Sequence, residues 1–161
     1  SGSCSRATRG QVAAYAPKAA SRQIDAETAL AGGIDIAELG DWVLAQDAPP
    51  LVYSSADPDD VRRAQERFGR EASAEAIEQV FSDLAAYLVA HGLRRLVVAG
   101  GETSGAVVTG IGAQSLTIGP RAAAGVPLAA VDGLALALKS GNFGGPDFFA
   151  EALALMERGV G

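Results

Sequence analysis

Leu96-Val97-Val98-Ala99-Gly100-Gly101-Glu102-Thr103-Ser104-Gly105-Ala106 is the stretch that decides how this chain is read. Four apolar residues, short and partly β-branched, predict a buried strand. A glycine-rich turn follows, and a short helix is expected over residues 106–111. In an open α/β sheet, ligands bind beyond the carboxyl ends of the strands. The first turn of a helix there offers unpaired N–H groups and the positive end of its dipole. Gly100 and Gly101 let backbone approach a ligand with no Cβ in the way. Thr103 and Ser104 add hydroxyls. Residues 100–105 therefore read as a phosphate cradle, or as a tight turn in which a hydroxyl caps the helix. No Gly-Lys-Ser/Thr follows, so it is not a P-loop, and it is not the Gly-x-Gly-x-x-Gly dinucleotide fingerprint.

Working outward, the pattern alternates helix and strand. Helices are expected over residues 5–19 with Ser5 as N-cap, 34–48, from Asp57 and Pro58 to Phe68, 73–90 and 146–158, the last stopping at Gly159. Strands are expected over 22–25, 51–55, 93–99, 116–118, 126–131 and 134–139. This is an α/β layered sandwich, one domain, with a mostly parallel sheet flanked by helices. The later strands follow one another without helices, so part of the sheet is free to be antiparallel. The abrupt opening on Ser1-Gly2-Ser3-Cys4-Ser5 reads as a turn whose preceding strand lies outside the chain.

Two further clusters share the position of the glycine turn. Lys139-Ser140-Gly141-Asn142-Phe143-Gly144 follows a strand and precedes a helix. Asn142 can both donate and accept hydrogen bonds, as recognition of adenine or ribose requires. Phe143 is either a cover for a base or a core residue. Lys139 either reaches a phosphate or is solvated at the strand end. Gly2-Ser3-Cys4-Ser5 precedes the first helix, with Thr8 and Gln11 beyond; by themselves its serines read as caps. Glu102 either holds Mg²⁺ through water or is a loop carboxylate.

Composition bounds the rest. The chain has 161 residues, 48% of them apolar and only 6% aromatic, so small aliphatic side chains must build the core. Thirteen basic against nineteen acidic residues give a net charge of −6, without the positive face that nucleic acid needs. No run is long enough to span a membrane, and a reducing cytoplasm is the expected setting. Cys4 and His91 are each the only residue of their type, which excludes a disulfide within the chain and a Cys/His metal cluster. Cys4 reads as inert and His91 as the end of a helix. An α/β hydrolase or dehydrogenase would need motifs that are absent.

The three clusters together resemble the four-carbon acid sugar kinase family. The residues that carry the resemblance are Gly2, Ser3, Ser5, Thr8 and Gln11; residues 100–105; Ile118-Gly119-Pro120; Gly125-Val126-Pro127; residues 139–144; and Asp147-Phe148-Phe149. The resemblance implies the ATP-binding, carboxy-terminal part of a two-domain kinase for threonate, erythronate or 3-oxo-tetronate. It implies contacts to ATP or ADP from Ser3, Ser5, Gly100, Gly101, Glu102, Thr103, Ser104, Gly105, Lys139, Gly141, Asn142, Phe143 and Gly144, with Mg²⁺ as the accompanying ion. The sugar acid and the catalytic base would belong to an amino-terminal domain carrying Asp-Asp-x-Thr-Gly. This sequence has no such stretch, since Asp59-Asp60 runs into Val61-Arg62. No catalytic residue and no direct metal ligand is assigned within the chain, and a homodimer is compatible with this reading. A stand-alone nucleotide-sensing domain is the alternative, and a purely structural dimerisation domain would leave the glycine clusters without a ligand.

Overall fold

The structure, a computed structural model, describes residues 1–54 and 58–158. In chain order the elements are α1 (Arg6–Tyr15), β1 (Ser21–Gln23), α2 (Ala26–Leu30), α3 (Ile36–Leu44), β2 (Leu51–Tyr53), α4 (Pro58–Phe68), α5 (Arg70–Ala90), β3 (Arg95–Ala99), α6 (Gly101–Gly110), β4 (Thr117–Ala123), β5 (Val126–Val131), β6 (Leu134–Lys139) and α7 (Phe148–Glu157). Strands β1 and β2 pair in parallel. A second sheet has the order β3-β6-β5-β4, with β3 and β6 parallel and the other two pairings antiparallel. The second sheet is thus mixed, and the chain pays out its antiparallel part as a β4-β5-β6 meander.

Alternation along β3 divides the core into two. Val97 and Ala99 face a cluster with Val12 of α1 and Phe148, Phe149, Ala152 and Met156 of α7. Leu96 and Val98 face the opposite cluster, built by Leu39 of α3, Phe81, Leu84 and Leu88 of α5 and Val107 of α6. The result is the expected layered sandwich, here with helices on both faces of the sheet. Glycine permits its closest contact: a Cβ at Gly110 would lie 2.4 Å from the Ser82 carbonyl oxygen, so α6 lies directly against α5.

Several boundaries differ from expectation, each for a local reason. The helix after the glycine turn starts at Gly101 rather than Ala106, because Ser104 N–H reaches the Gly100 carbonyl at 2.9 Å and closes the first turn. Helix α5 starts before Ser73, at Arg70. Gly69, at φ +87°, makes the break from α4, and the Ser73 hydroxyl donates back to the Gly69 carbonyl. Helix α3 ends at Leu44 instead of continuing to the prolines. Strand β4 runs on through Pro120, tolerated because β4 is the sheet edge and shifts register there. Helix α2 was not expected; Asp25 caps it by accepting from Thr28 N–H at 2.7 Å. The expected strand end at Ser55, the helix start at Asp57 and the stop at Gly159 lie outside the described residues.

Candidate functional site

Three turns meet at the carboxyl ends of the strands. The Gly2 N–H donates to the Ala99 carbonyl at 2.9 Å, placing residues 2–5 beside the end of β3. From there the chain enters α1, on the face of the sheet shared with α7. The neighbouring turn leaves β3 through Gly100 and enters α6, on the opposite face. Adjacent turns that diverge to opposite faces leave a crevice between them, which is where open α/β sheets bind ligands. The third turn, after β6, closes the side of this crevice. A Cβ at Gly141 would lie 2.3 Å from Ser3 Oγ and 2.8 Å from Ser5 Oγ, so the two turns touch and only glycine fits.

The first turn of α6 is chemically open. Gly100, at φ +126°, turns the chain where any other residue would be strained, and it provides no side-chain cap. The N–H groups of Gly101, Glu102 and Thr103 precede the first intrahelical bond, which is made by Ser104. Gly101 is exposed, and a Cβ there would meet no atom within 4 Å. By contrast α1, α2 and α3 are closed by the side chains of Ser5, Asp25 and Asp35. An uncapped helix start with a bare glycine can accept an anion through backbone donors.

The hydroxyls of this turn have other places. Thr103 is buried, and its Oγ1 packs where Cβ atoms at Gly2 and Gly100 would stand. Ser104 Oγ is buried without a hydrogen-bond partner. Glu102 and Gly105 are exposed. Glu102 adds to the charge that, after burial, holds the Glu78 carboxyl above its usual range. The donors facing out of this turn are therefore main-chain groups.

Lys139 was expected at a phosphate or in solvent; it is neither solvated nor free. It is 1% exposed. It shares with Ala137 and Ala135 the face of β6 covered by α1 and α7. Its Nζ donates to Thr8 Oγ1 at 2.9 Å, to the Gly141 carbonyl at 3.0 Å and to the Ser140 carbonyl at 3.2 Å. Burial lowers its pKa to about 8. Its three hydrogens are committed to shaping the turn. Thr8 donates to the same Gly141 carbonyl at 2.8 Å, and Ser5 Oγ also donates to it. Gln11 Nε2 faces the carbonyls of Phe143, Gly144 and Gly145 at 2.9–3.1 Å. Thr8 and Gln11 are both buried, and neither stood among the contacts drawn from sequence. The signal was present: Ser5, Thr8 and Gln11 recur every three residues, a polar stripe on one face of α1.

Pinned from below, the β6 turn presents Asn142 and Phe143 outward. Asn142 is exposed, and Phe143 is 44% exposed, its ring lying against Gly125 of the β4–β5 turn. Gly144, at φ +82°, lets the turn pass over Phe148. Ser3 Oγ accepts from Ser5 N–H at 3.2 Å. Cys4 is exposed, and the His91 ring meets the Tyr87 carbonyl at the end of α5, away from these turns. Among the described residues no group of carboxylates, histidines and cysteines is placed to hold a metal ion directly, and no helix is long and apolar enough to cross a membrane.

Diverging turns, backbone donors at an uncapped helix and an exposed aromatic on the turn after β6 stand at one end of an α/β sandwich. The chain belongs to the family of nucleotide-binding C-terminal domains, whose model matches residues 1–149. It is 50% identical over 157 residues to the 3-oxo-tetronate kinase of Brucella melitensis, covering 94% of this chain and 36% of that protein. It is 46% identical over 156 residues to the 3-oxo-tetronate kinase of Cupriavidus necator, with the same coverage. A crystal structure of a Haemophilus influenzae protein superposes with a TM-score of 0.90 at 40% identity, over 96% of this chain and 39% of that one. The chain thus spans a little over a third of the length of these relatives. They agree with the resemblance read from the glycine and serine clusters.

Proposed function

We propose that this chain is the nucleotide-binding part of an ATP-dependent kinase acting on a four-carbon sugar acid, 3-oxo-tetronate being the substrate named for its relatives. The observation that carries the nucleotide reading is the open first turn of α6, set in the crevice between diverging turns. Its free N–H groups suit phosphate oxygens, and the space above Gly101 fits a group that comes within van der Waals reach of the backbone. Asn142 and the Phe143 ring, held outward at the neighbouring turn, suit the base or ribose. Ser3 and Ser5 shape the near wall, and Gly141 and Gly144 let the walls approach. Lys139 acts as a positioning residue beneath this surface.

ATP brings the phosphoryl group that is transferred, and its Mg²⁺ neutralises phosphate charge. Exposed Glu102 is the carboxylate of the α6 turn available to a water in the ion's shell. The chain's own contribution is to fix the phosphates and keep their orientation, which is most of what phosphoryl transfer requires of a protein. Activation of the sugar hydroxyl is assigned to a further, amino-terminal domain of the longer protein. In calorimetric titration the 161-residue chain should bind Mg-ADP with a dissociation constant on the order of 0.1–1 mM, about −4 to −5.5 kcal/mol. It should show no turnover with ATP and 3-oxo-tetronate. Absence of binding at several millimolar would sink the nucleotide reading; turnover by this chain alone would sink the division of labour.

A further inference from the structure

Lys139 carries a charge that the folded chain does not balance. Its side chain is 1% exposed, and every oxygen that its Nζ reaches, on Thr8, Ser140 and Gly141, is neutral. Among the described residues no carboxylate pairs with it. Its neighbour on β3 is Ala99. The ionisable groups on the elements packed around it are Arg6, Arg9 and Lys18 in and after α1, Asp147 and Glu151 at the start of α7, Cys4 and the Ser1 amine. Asp147 pairs with Lys18 at 3.7 Å on the exposed surface, and Glu151 is exposed. The Ser1 amine is lowered to about 5 by burial and by Lys139 itself, so above that value it is neutral. Buried ions are ordinarily paired, because removing a lone charge from water is costly.

Hydrogen bonding alone does not call for the charge. The same face of α1 holds the next carbonyls of this turn, those of Phe143, Gly144 and Gly145, with the neutral amide of Gln11. The two carbonyls given to Lys139 differ in what stands behind them. The peptide bonds are trans, so each N–H points opposite to the carbonyl of its own peptide unit. The Ser140 and Gly141 carbonyls turn toward Lys139, and the N–H groups of Gly141 and Asn142 therefore turn away from it. Neither N–H has a hydrogen-bond partner among the described residues. Gly141 stands against Ser3 and Ser5 at the wall of the crevice, and Asn142 is exposed. A cation on the carbonyl polarises the peptide unit and strengthens its N–H as a donor.

We propose that the ammonium of Lys139 is the buried counter-charge of the nucleotide's phosphates, acting through the Ser140 and Gly141 peptide units on a phosphate at the N–H groups of Gly141 and Asn142. This role rests on the nucleotide reading above and adds to it: Lys139 gives charge to the ligand as well as shape to the turn. Across one peptide unit the ammonium and a phosphate oxygen stand about 8 Å apart. Burial holds Lys139 at about 8 in the free chain. With an effective dielectric constant of about 20, one negative charge at that distance brings it back to about 9.5. Between those values the complex keeps a proton that the free chain has lost, so binding takes up a proton and weakens as pH rises. A purely structural lysine behaves in the opposite way. A nucleotide that only closes the site removes water from Lys139 and lowers its pKa further.

Lys18 and Lys139 are the only lysines in the chain, so a sample isotopically labelled at lysine Cε gives two NMR signals, with exposed Lys18 as the reference. A pH titration of this sample, with and without saturating Mg-ADP, tests the role directly. The Lys139 signal should titrate near 8 in the free chain and near about 9.5 in the complex. Mg-ADP affinity, measured on the same chain, should fall roughly 25-fold from about pH 7 to about pH 10.5. A Lys139 signal that titrates at the same pH with nucleotide bound, or at a lower one, would overturn the proposal and leave the nucleotide reading standing. No binding of Mg-ADP at any pH would remove that reading, and this role with it.

Discussion

Replacing Gly101 with valine should weaken Mg-ADP binding by roughly 10- to 100-fold while leaving the urea midpoint nearly unchanged. The two halves of this expectation have different origins. Position 101 is exposed at the start of α6, and a side chain there meets no protein atom. Valine has a slightly better helix propensity than glycine, so stability should move by no more than ~0.5 kcal/mol. A ligand phosphate held by the first-turn N–H groups would have to share that space with two methyl groups. Loss of one or two charge-assisted hydrogen bonds is worth about 1.5–3 kcal/mol, which gives the stated range. Glu102→Ala, which leaves the backbone donors in place, should weaken binding less. If Glu102→Ala proved the more damaging, the anion would be held through a metal on that carboxylate instead.

The second large effect is expected deeper in. Lys139→Met removes a buried ammonium that ties Thr8 to two carbonyls of the turn; the oxygens keep weaker donors in Ser5, Thr8 and the Phe143 N–H, but the charge-assisted bonds are lost. Destabilisation of about 2–4 kcal/mol should follow, read from urea denaturation. The turn that carries Asn142 and Phe143 loses its support, so binding should fall as well. A pH series separates this from simple loss of packing. Lys139 titrates near 8 in the folded chain and near 10.5 when unfolded. Between those values the unfolded chain binds more protons, so folding stability from this group rises with pH. The gap between native chain and variant should widen from pH 8 to pH 10.5. A gap that stays constant across that window would mean that Lys139 is not the buried cation described here.

Gly101 and Lys139 mark how far the sequence could be read. The position of the α6 turn was legible because an apolar strand, two glycines and a hydroxyl pair stand in an unbroken row. The serine turn and the turn after β6 were legible for the same reason. What the row of letters did not carry was direction. Thr103 and Ser104 read as donors to a ligand, yet helix α6 begins one residue after Gly100 and rotates both hydroxyls into the protein. Lys139 read as reaching a phosphate or lying in solvent at the strand end, yet its place in the alternation of β6 puts it under α1. Thr8 and Gln11 stood beside the serine turn in the sequence, but their hold on the turn after β6 did not show there. The places of Lys139, Thr8 and Gln11 depend on contacts spanning more than 130 residues, which no local pattern encodes. The mixed character of the sheet was half legible: consecutive strands without helices pointed to an antiparallel part, while Pro120 obscured the length of β4.

Dimer formation belongs with the surfaces rather than the site. A related protein of Bordetella bronchiseptica, 25% identical with a TM-score of 0.72, was crystallised as a domain-swapped dimer with bound citrate. That is a property of that protein, and the crevice described here is formed within one chain.

The central claim is that nucleotide phosphate lies on the main-chain donors of the α6 turn, facing the turns of Ser3 and Asn142. Mapping backbone amide shifts of the 161-residue chain during titration with Mg-ADP tests it most directly. The account predicts that the largest shifts fall on Gly101, Glu102 and Thr103, followed by Ser3, Asn142 and Phe143, with Lys18, Asp83 and His91 unmoved. Shifts concentrated elsewhere, with the amides of residues 101–103 still at saturating nucleotide, would contradict it.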